Sequence, residues 1–576
     1  MTPFLPVFTE KNNCQDCYKC IRECSVKAIK VEKGRASVIS ELCIFCGRCT
    51  EVCPAGAKKV RNDLWKAQKL VAVNSQVAVS IAPSYISEWS NISKEKLFTA
   101  IKMLGFTHIS ETAIGAEKVS EFSAKYIQES NKQLFLSSAC PAVVEFVEKF
   151  HPELIENIIP IFSPLMAHAK MLKAELGKET PVVFIGPCIA KKRESDKYPH
   201  DVDVAITFSD LNNWFEQEQI ILDEIDAEQN ISLFPSEAGI AALYPLDGGM
   251  AKGMKKCGSI DDTTLMNFSG MQNVKEVLKD INKQNISNKL FLELLACPGG
   301  CINGPGSDSK YSSAVKNLKI IDETRGRQKQ NDKKLHIEYS TIKCQYLPQD
   351  VNEQKYTEKQ YKEALQIVGK LSEKDELNCG GCGYDSCREF AHAILEDRAE
   401  RSMCASYMRK VAHDKATVLL QKIPSGVVII DDNLKIIESN KSFAKILGEE
   451  TLMIWDVNPG LGGANLTKLV SFHKFFASLL SSGSENIECD VKHNGKLLHM
   501  SLFSIQPHKI VGGIIRDLTM PEMRREEVIK RSKKVITENL NTVQRIAYLL
   551  GENASRTEAI LNSIVESHSI DEHNSN

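Results

Sequence analysis

Four apolar runs break the alternation of hydrophobic and polar positions: residues 77–82 (VAVSIA), 134–136 (LFL), 182–185 (VVFI) and 290–295 (LFLELL). Each has the length of one buried strand. Helical spacing fills the intervals, as at 142–150 and 164–176. Strands alternating with helices predict a mostly parallel α/β sheet. Every run leads into a loop containing Pro or Cys: Ala82-Pro83-Ser84, Ser137-Ser138-Ala139-Cys140-Pro141, Gly186-Pro187-Cys188 and Ala296-Cys297-Pro298. Open α/β sheets bind ligands at the carboxyl ends of their strands. Cys140, Cys188, Cys297 and Cys301 are therefore expected to converge on one crevice, and four thiolates suffice for one cubane. Gly299, Gly300, Gly304 and Gly306 would let the backbone come close to a bulky group there.

Beyond residue 423 the pattern changes. Residues 427–430 predict a strand, Asp431-Asp432-Asn433 a turn, and 434–437 a returning strand. A helix starts near Asn440 and Phe443, and 510–515 supplies a closing strand. Pro521 is expected to open a final helix, where its missing amide costs little. Ile529, Ile536, Val543 and Leu550 recur every seven positions, with Leu540, Ala547 and Ala554 as a second stripe. This spacing fits a coiled coil, a partner-binding helix, or a helix folded back on the preceding core.

The 576 residues are 43% hydrophobic and 25% charged, which fits a soluble chain of roughly three to five domains. The net charge of −2 gives no reason to expect a nucleic-acid partner. No apolar stretch approaches the ~20 residues of a membrane span. The N-terminus lacks a basic region followed by an apolar core, so a cytoplasmic location is expected. In that reducing compartment nineteen cysteines are metal ligands or free thiols rather than disulfides.

Spacing sorts them. Cys14, Cys17, Cys20 and Cys24 follow C-x2-C-x2-C-x3-C, and Cys43, Cys46, Cys49 and Cys53 repeat it before Pro54. In the bacterial two-cluster ferredoxin pattern the fourth cysteine of each run serves the other cluster. One 4Fe–4S cluster is then expected on Cys14, Cys17, Cys20 and Cys53, the other on Cys43, Cys46, Cys49 and Cys24. Cys379, Cys382, Cys387 and Cys404 resemble a small four-cysteine 4Fe–4S domain of redox and corrinoid proteins. Four thiolates also suit zinc, so both remain open at this group. Cys257, Cys344 and Cys489 have no partner at useful spacing. Sixteen grouped cysteines argue for four cubanes.

SSACP at 137–141, GPCIAKK at 186–192 and ELLACPGGCINGPG at 293–306 resemble the three signature motifs of FeFe-hydrogenase large subunits. The resemblance covers about residues 1–310. It implies that Cys140, Cys188, Cys297 and Cys301 hold a cubane. Cys301 would bridge to a di-iron unit carrying CO, cyanide and a dithiolate. It also implies that Lys191 donates a hydrogen bond to a cyanide, with Pro83, Ser84 and Pro187 lining the cavity. An ammonium suits an anionic diatomic ligand. The alternative is a solvated Lys191 beside Lys192 and Arg193.

The departures carry as much information. Hydrogenases of this kind place a proton-passing cysteine where this chain has Ala139. The glutamates further along their relay fall near Ser123 and Tyr126, and the methionine before Pro187 is Gly186. Glu121 and Glu117 are substitute acids, or else solvated helix residues. A proton path needs groups within hydrogen-bond reach at each step, so slow turnover or a sensory role is expected.

The C-terminal pattern resembles a PAS domain, a small antiparallel sheet flanked by helices. Its ligand is unknown; His473 and His499 are haem candidates, or ordinary histidines. There is no Gly-rich nucleotide loop and no kinase ATP-binding segment. The expected organisation is multidomain, α/β and α+β. Residues 1–68 form a ferredoxin-type module, and 69–345 a two-lobed α/β hydrogenase-like domain with a charged linker within 307–357. Residues 358–410 form the four-cysteine domain, 414–520 the PAS-like domain, and 521–568 an amphipathic helix. The reading is an iron–sulfur protein that binds H2 or protons and exchanges electrons with ferredoxin or another redox partner. It would sense H2 or redox state, signal to a separate protein, and form a homodimer through the PAS-like domain and final helix. A slow ferredoxin-linked hydrogenase and a cubane-only electron-transfer or scaffold protein are the alternatives.

Overall fold

A computed structural model describes residues 5–228, 231–258, 260–281, 284, 286–327, 335, 337–349, 351, 354–519 and 532–545. The chain divides into two compact units, Met1–Met408 and Arg409–Asn576.

In the first unit the apolar runs form strands, but in two sheets rather than one. His108–Glu111, Ala78–Ile81, Val182–Gly186 and Val204–Thr207 lie side by side in that order, all parallel. Thr263–Ser269, Lys289–Leu295 and Leu134–Leu136 make the second parallel sheet. Phe135 stands opposite Phe291, and Val79 is flanked by Ile109 and Val183. Strands covered on both faces read as unbroken apolar runs, and such runs do not name their neighbours. Three strands escape the pattern. His108–Glu111 carries polar residues at both ends, Val204–Thr207 is only four residues long, and Thr263–Ser269 is half-exposed along the sheet edge.

Helices Thr112–Glu129 and Pro164–Leu176 cover the four-stranded sheet. They approach closely at Gly115, where a Cβ would lie 2.3 Å from the Pro164 carbonyl oxygen. His168, fully buried, joins this layer to the sheet. Its Nδ1 meets Ser80 Oγ and its Nε2 meets Ser110 Oγ, both at 2.8 Å. At the N-terminus, Val7–Thr9 pairs with Lys58–Val60 and Ile29–Glu32 with Arg35–Val38, both antiparallel.

Part of the stretch expected to hold a charged linker, 307–357, is helical. Ser313–Gly326 is a helix whose Lys316, Ile320 and Thr324 face inward. Arg327 follows, buried, and donates to Glu111 at 2.7 and 2.9 Å. Its guanidinium is paired rather than solvated. Residues 328–334 lie outside the described residues.

The second unit is built on an antiparallel sheet in the order Ile436–Ser439, Gly426–Ile430, Ile510–Asp517, Lys496–Gln506, Asn486–His493. The returning strand starts two residues later than expected, because Asp431 to Leu434 make the turn and Leu434 takes a left-handed conformation. Asn440 caps helix Lys441–Leu447 through Phe443 N. Its amide also donates to the carbonyls of Leu420, Ile423 and Ser425. Residues 532–545 are helical, with Ile536, Leu540 and Val543 exposed. Pro521, Ile529, Ala547, Leu550 and Ala554 lie outside the described residues.

Burial pushes the His168 imidazole down to about 3. Below its unfolded value of about 6.5 the unfolded chain binds a proton that the folded one refuses. Stability should therefore fall as pH drops below 6.5, by about 1.4 kcal/mol per pH unit from this group. Denaturant melts between pH 7 and 5 should show a flatter slope in His168→Gln, and parallel slopes would contradict the assignment. Arg327→Ala leaves Glu111 buried without its cation and should cost about 3–5 kcal/mol in the same melts.

Candidate metal centre

The four cysteines of the signature motifs meet where the two parallel sheets end. Cys140 is the N-cap of helix Pro141–Phe150, and Cys188 lies just before helix Ala190–Lys197. Cys297 and Cys301 frame a turn in which Gly299 and Gly300 have φ of 75° and 100°. A Cβ on Gly300 would lie 2.3 Å from the Pro245 carbonyl oxygen. One on Gly304 would lie 2.6 Å from that of Pro187. Glycine is thus required for the Cys301 loop to seat on the Pro187–Cys188 loop, which accepts a hydrogen bond from Gly306 N at 2.8 Å.

Burial is the main influence on the thiols of Cys188, Cys297 and Cys301, and neighbouring cysteines add to it. Cys188 is pushed up to about 11 by burial and then by Cys140. Cys297 and Cys301 are pushed well above the ordinary thiol range, by burial and then by the other cysteines of the group. Such thiols are poor nucleophiles on their own, but a cationic metal core deprotonates its thiol ligands. The donor set therefore fits a metal cluster.

Lys191 is buried rather than solvated. Its Nζ donates to Ser163 Oγ at 2.8 Å and to Glu194 Oε2 at 2.6 Å, occupying two of three donors. It favours the thiolate forms of Cys188 and Cys301. Lys192 is buried as well, bonded to Asp210 at 2.9 Å and Asp63 at 3.4 Å. Pro83 and Ser84 follow strand Ala78–Ile81, and the buried Ser84 hydroxyl has no hydrogen-bond partner among the described residues. Pro187 follows Val182–Gly186. A side chain at Gly186 would meet the Phe184 ring at 2.5 Å.

The N-terminal cysteines fall into two neighbourhoods. Cys20 adjoins Cys14, Cys17 and Cys53, whereas Cys49 and Cys46 share Cys43 and Cys24. Backbone N–H groups point at the sulfurs: Ala28 to Cys24, Ala36 to Cys14, Phe45 to Cys43 and Ala57 to Cys53, at 3.2–3.5 Å. Such bonds tune iron–sulfur clusters. Cys46 in turn adjoins Cys140 and Cys297. A cleft of about 380 Å³ opens beside Cys24, Cys46 and Cys297. Cys382 adjoins Cys379 and Cys404, while Cys387 starts helix Cys387–Leu395 with its N–H held by Asn378 at 2.7 Å. Among the described residues no three His, Cys, Asp or Glu side chains are grouped for a single metal ion.

The proton-relay candidates are not assembled into a chain of acids. Ala139 is half-buried and offers no donor. Ser123 is buried with its hydroxyl unpaired, and Tyr126 packs edge-on against Phe135. Glu121 is exposed and paired with Lys118 at 2.8 Å, and Glu117 accepts from Gly239 N at 2.7 Å. In the second unit His499 bonds Asp490 at 2.7 Å, and His473 Nδ1 lies 3.0 Å from the Val470 carbonyl oxygen.

Residues 75–305 match the iron-only hydrogenase large subunit, C-terminal domain. Residues 36–59 match a 4Fe–4S binding domain, and 375–406 a putative Fe–S cluster domain. NADP-reducing hydrogenase subunit HndD of Solidesulfovibrio fructosivorans is 24% identical over 52% of this chain and 64% of its own length. Iron hydrogenase 1 of Clostridium pasteurianum is 25% identical over 43% of this chain and 52% of its own. The chain thus spans between half and two thirds of these two relatives. The cytosolic Fe–S cluster assembly factor narfl of Danio rerio is 25% identical over 44% of this chain and 75% of its own length. This is an iron–sulfur protein related both to iron-only hydrogenases and to Fe–S assembly factors. No helix among its described residues is long and apolar enough to cross a membrane.

Sequence reasoning missed three groups around the hydrogenase-type centre. Glu194 lies three residues after Lys191, a spacing at which helical side chains meet, and could have been found. Glu293 is buried beneath the Cys297 loop and accepts from Met250 N and Ala251 N. Burial pushes it up to about 7 against those two bonds. Lys149 donates to the Cys43 carbonyl at 2.8 Å, which only the fold could reveal. Gly300→Ala should lower stability by more than about 1 kcal/mol and reduce bound iron, read by melting and iron analysis. An unchanged iron content would show that the loop tolerates a side chain.

Proposed function

We propose that this chain is an FeFe-hydrogenase-related sensor of H2 or redox state that relays electrons through four 4Fe–4S clusters. The carrying observation is the meeting of Cys140, Cys188, Cys297 and Cys301 beside a buried, anchored Lys191, next to an alanine where a proton-passing thiol is expected. In this reading the four thiolates would hold a cubane, and Cys301 would be the link to a di-iron unit carrying CO, cyanide and a dithiolate. Lys191 Nζ, held by Ser163 and Glu194, would offer its third N–H to a cyanide, with Pro83, Ser84 and Pro187 lining the cavity. When bound, such a unit supplies an open metal position for H2.

Cys14, Cys17, Cys20 and Cys53 hold the second cluster, Cys43, Cys46, Cys49 and Cys24 the third, and Cys379, Cys382, Cys387 and Cys404 the fourth. Packing supports one continuous relay. Ile44 and Phe45 share a core with Cys140, and a Cβ on Gly47 would lie 2.5 Å from Ile189. On the far side, Val31 N donates to the Arg398 carbonyl at 2.9 Å, and Lys27 Nζ to that of Gly383 at 3.0 Å. Tyr384 adjoins both Cys24 and Cys382. The second unit is read as a PAS-like module of open ligand. The exposed stripe of 532–545 would pair with a second copy or a signalling protein, in the cytoplasm, with ferredoxin as electron partner.

The decisive measurement is the infrared spectrum of the matured protein. Bands from iron-bound CO and cyanide are expected, with H2 evolution far below that of ordinary hydrogenases. Ordinary rates would remove the sensory role. Missing bands, with all sixteen cysteines ligated, would instead favour a cubane-only protein, a class that the relation to assembly factors keeps open.

A slow but working hydrogenase is the second reading. It is favoured by a cavity of about 40 Å³ lined by Ser138, Glu145, Glu148, Glu194 and Tyr198, among others. That volume admits water, and it borders the partner of Lys191. Glu148→Gln should then slow H2 turnover at least tenfold, and Ala139→Cys should raise it. A purely sensory protein would show neither change.

A further inference from the structure

A buried lysine with no predicted role faces both groups of N-terminal cysteines. Lys58 opens strand Lys58–Val60, opposite Thr9 of Val7–Thr9. It is 3% exposed. Its Nζ donates to Thr9 Oγ1 at 2.6 Å, and among the described residues it forms no ion pair with a carboxylate. An ammonium buried without an anion is strongly disfavoured. The groups that do meet it are thiols. Strand Lys58–Val60 packs against helix Arg48–Glu51, which holds Cys49, and the N–H of Ala57, just before Lys58, bonds the Cys53 sulfur at 3.2 Å. Cys20, Cys49 and Cys53 each feel Lys58 as a neighbouring positive charge. Under the ligand reading above, Cys20 and Cys53 serve one cluster and Cys49 the other.

We infer that Lys58 is the shared counter-ion of the two N-terminal clusters and raises the reduction potential of both. The inference rests on that ligand reading. A cubane with four thiolates is an anion, and reduction adds one more negative charge without making or breaking a bond. A fixed cation in a poorly polarisable interior favours the more negative state. Net charge and hydrogen bonds to sulfur are the levers that set cluster potentials. Lys58 supplies the charge through its side chain. Placed beside ligands of both clusters, it keeps their potentials together, which suits a relay that passes electrons both ways. The neighbouring Lys59 side chain is exposed and lies on the other face of the strand, so it does not duplicate this role.

The test uses the full chain with reconstituted clusters, reduced by dithionite, which gives one electron per cluster. Potentials are read by electron paramagnetic resonance during redox titration, beside iron and sulfide counts. Lys58→Met removes the charge at similar length, and Lys58→Arg keeps it. In Lys58→Met both N-terminal clusters should become harder to reduce by at least tenfold, about 59 mV for one electron. In Lys58→Arg they should stay near their original potentials. The two clusters elsewhere in the chain serve as internal references. Unchanged potentials in Lys58→Met with full clusters, or an equal shift of all four clusters, would overturn the inference. If the methionine variant loses the N-terminal clusters while the arginine variant keeps them, the counter-ion role is supported through assembly. Loss in both variants would show that shape, not charge, is required, and would overturn it. Absence of these clusters from the unsubstituted chain would instead overturn the ligand reading itself, and this inference with it.

Discussion

Crowding four thiols into a dry crevice is the constraint on which the first unit depends. Burial disfavours the thiolate at Cys188, Cys297 and Cys301, and each neighbour makes the next ionisation harder. Nothing in an apolar core repays that arrangement, and a metal core does. The surrounding chain is shaped accordingly. Strands of two separate sheets end together, two glycines with positive φ turn the Cys297–Cys301 segment, and Gly304 allows backbone to rest on backbone. The first ring of contacts is therefore backbone geometry, which positions sulfur more rigidly than flexible side chains would.

A second ring consists of buried charges with assigned partners. Lys191 is held by Ser163 and Glu194. Lys192 bonds Asp63 and Asp210, tying helix Ala190–Lys197 to the starts of Leu64–Val73 and Phe208–Gln217. Burial raises Asp63, but Lys192 and Arg61 outweigh it and hold the carboxyl below its usual range. Arg327, Glu111 and Tyr85 do the same for the helix that follows the Cys301 loop. Buried ion pairs add little net stability but penalise any arrangement that separates them. Here they fix the helix carrying Lys191, and with it the direction of one ammonium.

Function turns on what this frame omits. Ala139 sits in a motif that is otherwise intact, and the space beside Gly186 is filled by Phe184. The four cysteines of the motifs still converge. The four-cysteine segment packs on the ferredoxin-type segment, in a shared core that includes Cys14, Cys20, Cys24, Cys382 and Cys404.

The sequence by itself grouped the cysteines and marked the strand ends. Cysteine spacing is a local property, and it survives any change in how distant elements pack. The apolar runs announced four strands because those strands are buried on both faces. What the pattern could not decide was partnership. An apolar run does not say which run lies beside it, so one expected sheet is two. Charge in a sequence does not say whether it is paired: Arg327, within a charged stretch, lies deep against Glu111. Lys58 and Lys149 are buried, and the groups they donate to lie 49 and 106 positions away in the chain. Those decisions belong to the tertiary structure, where burial removes water as the default partner and each charge must find another.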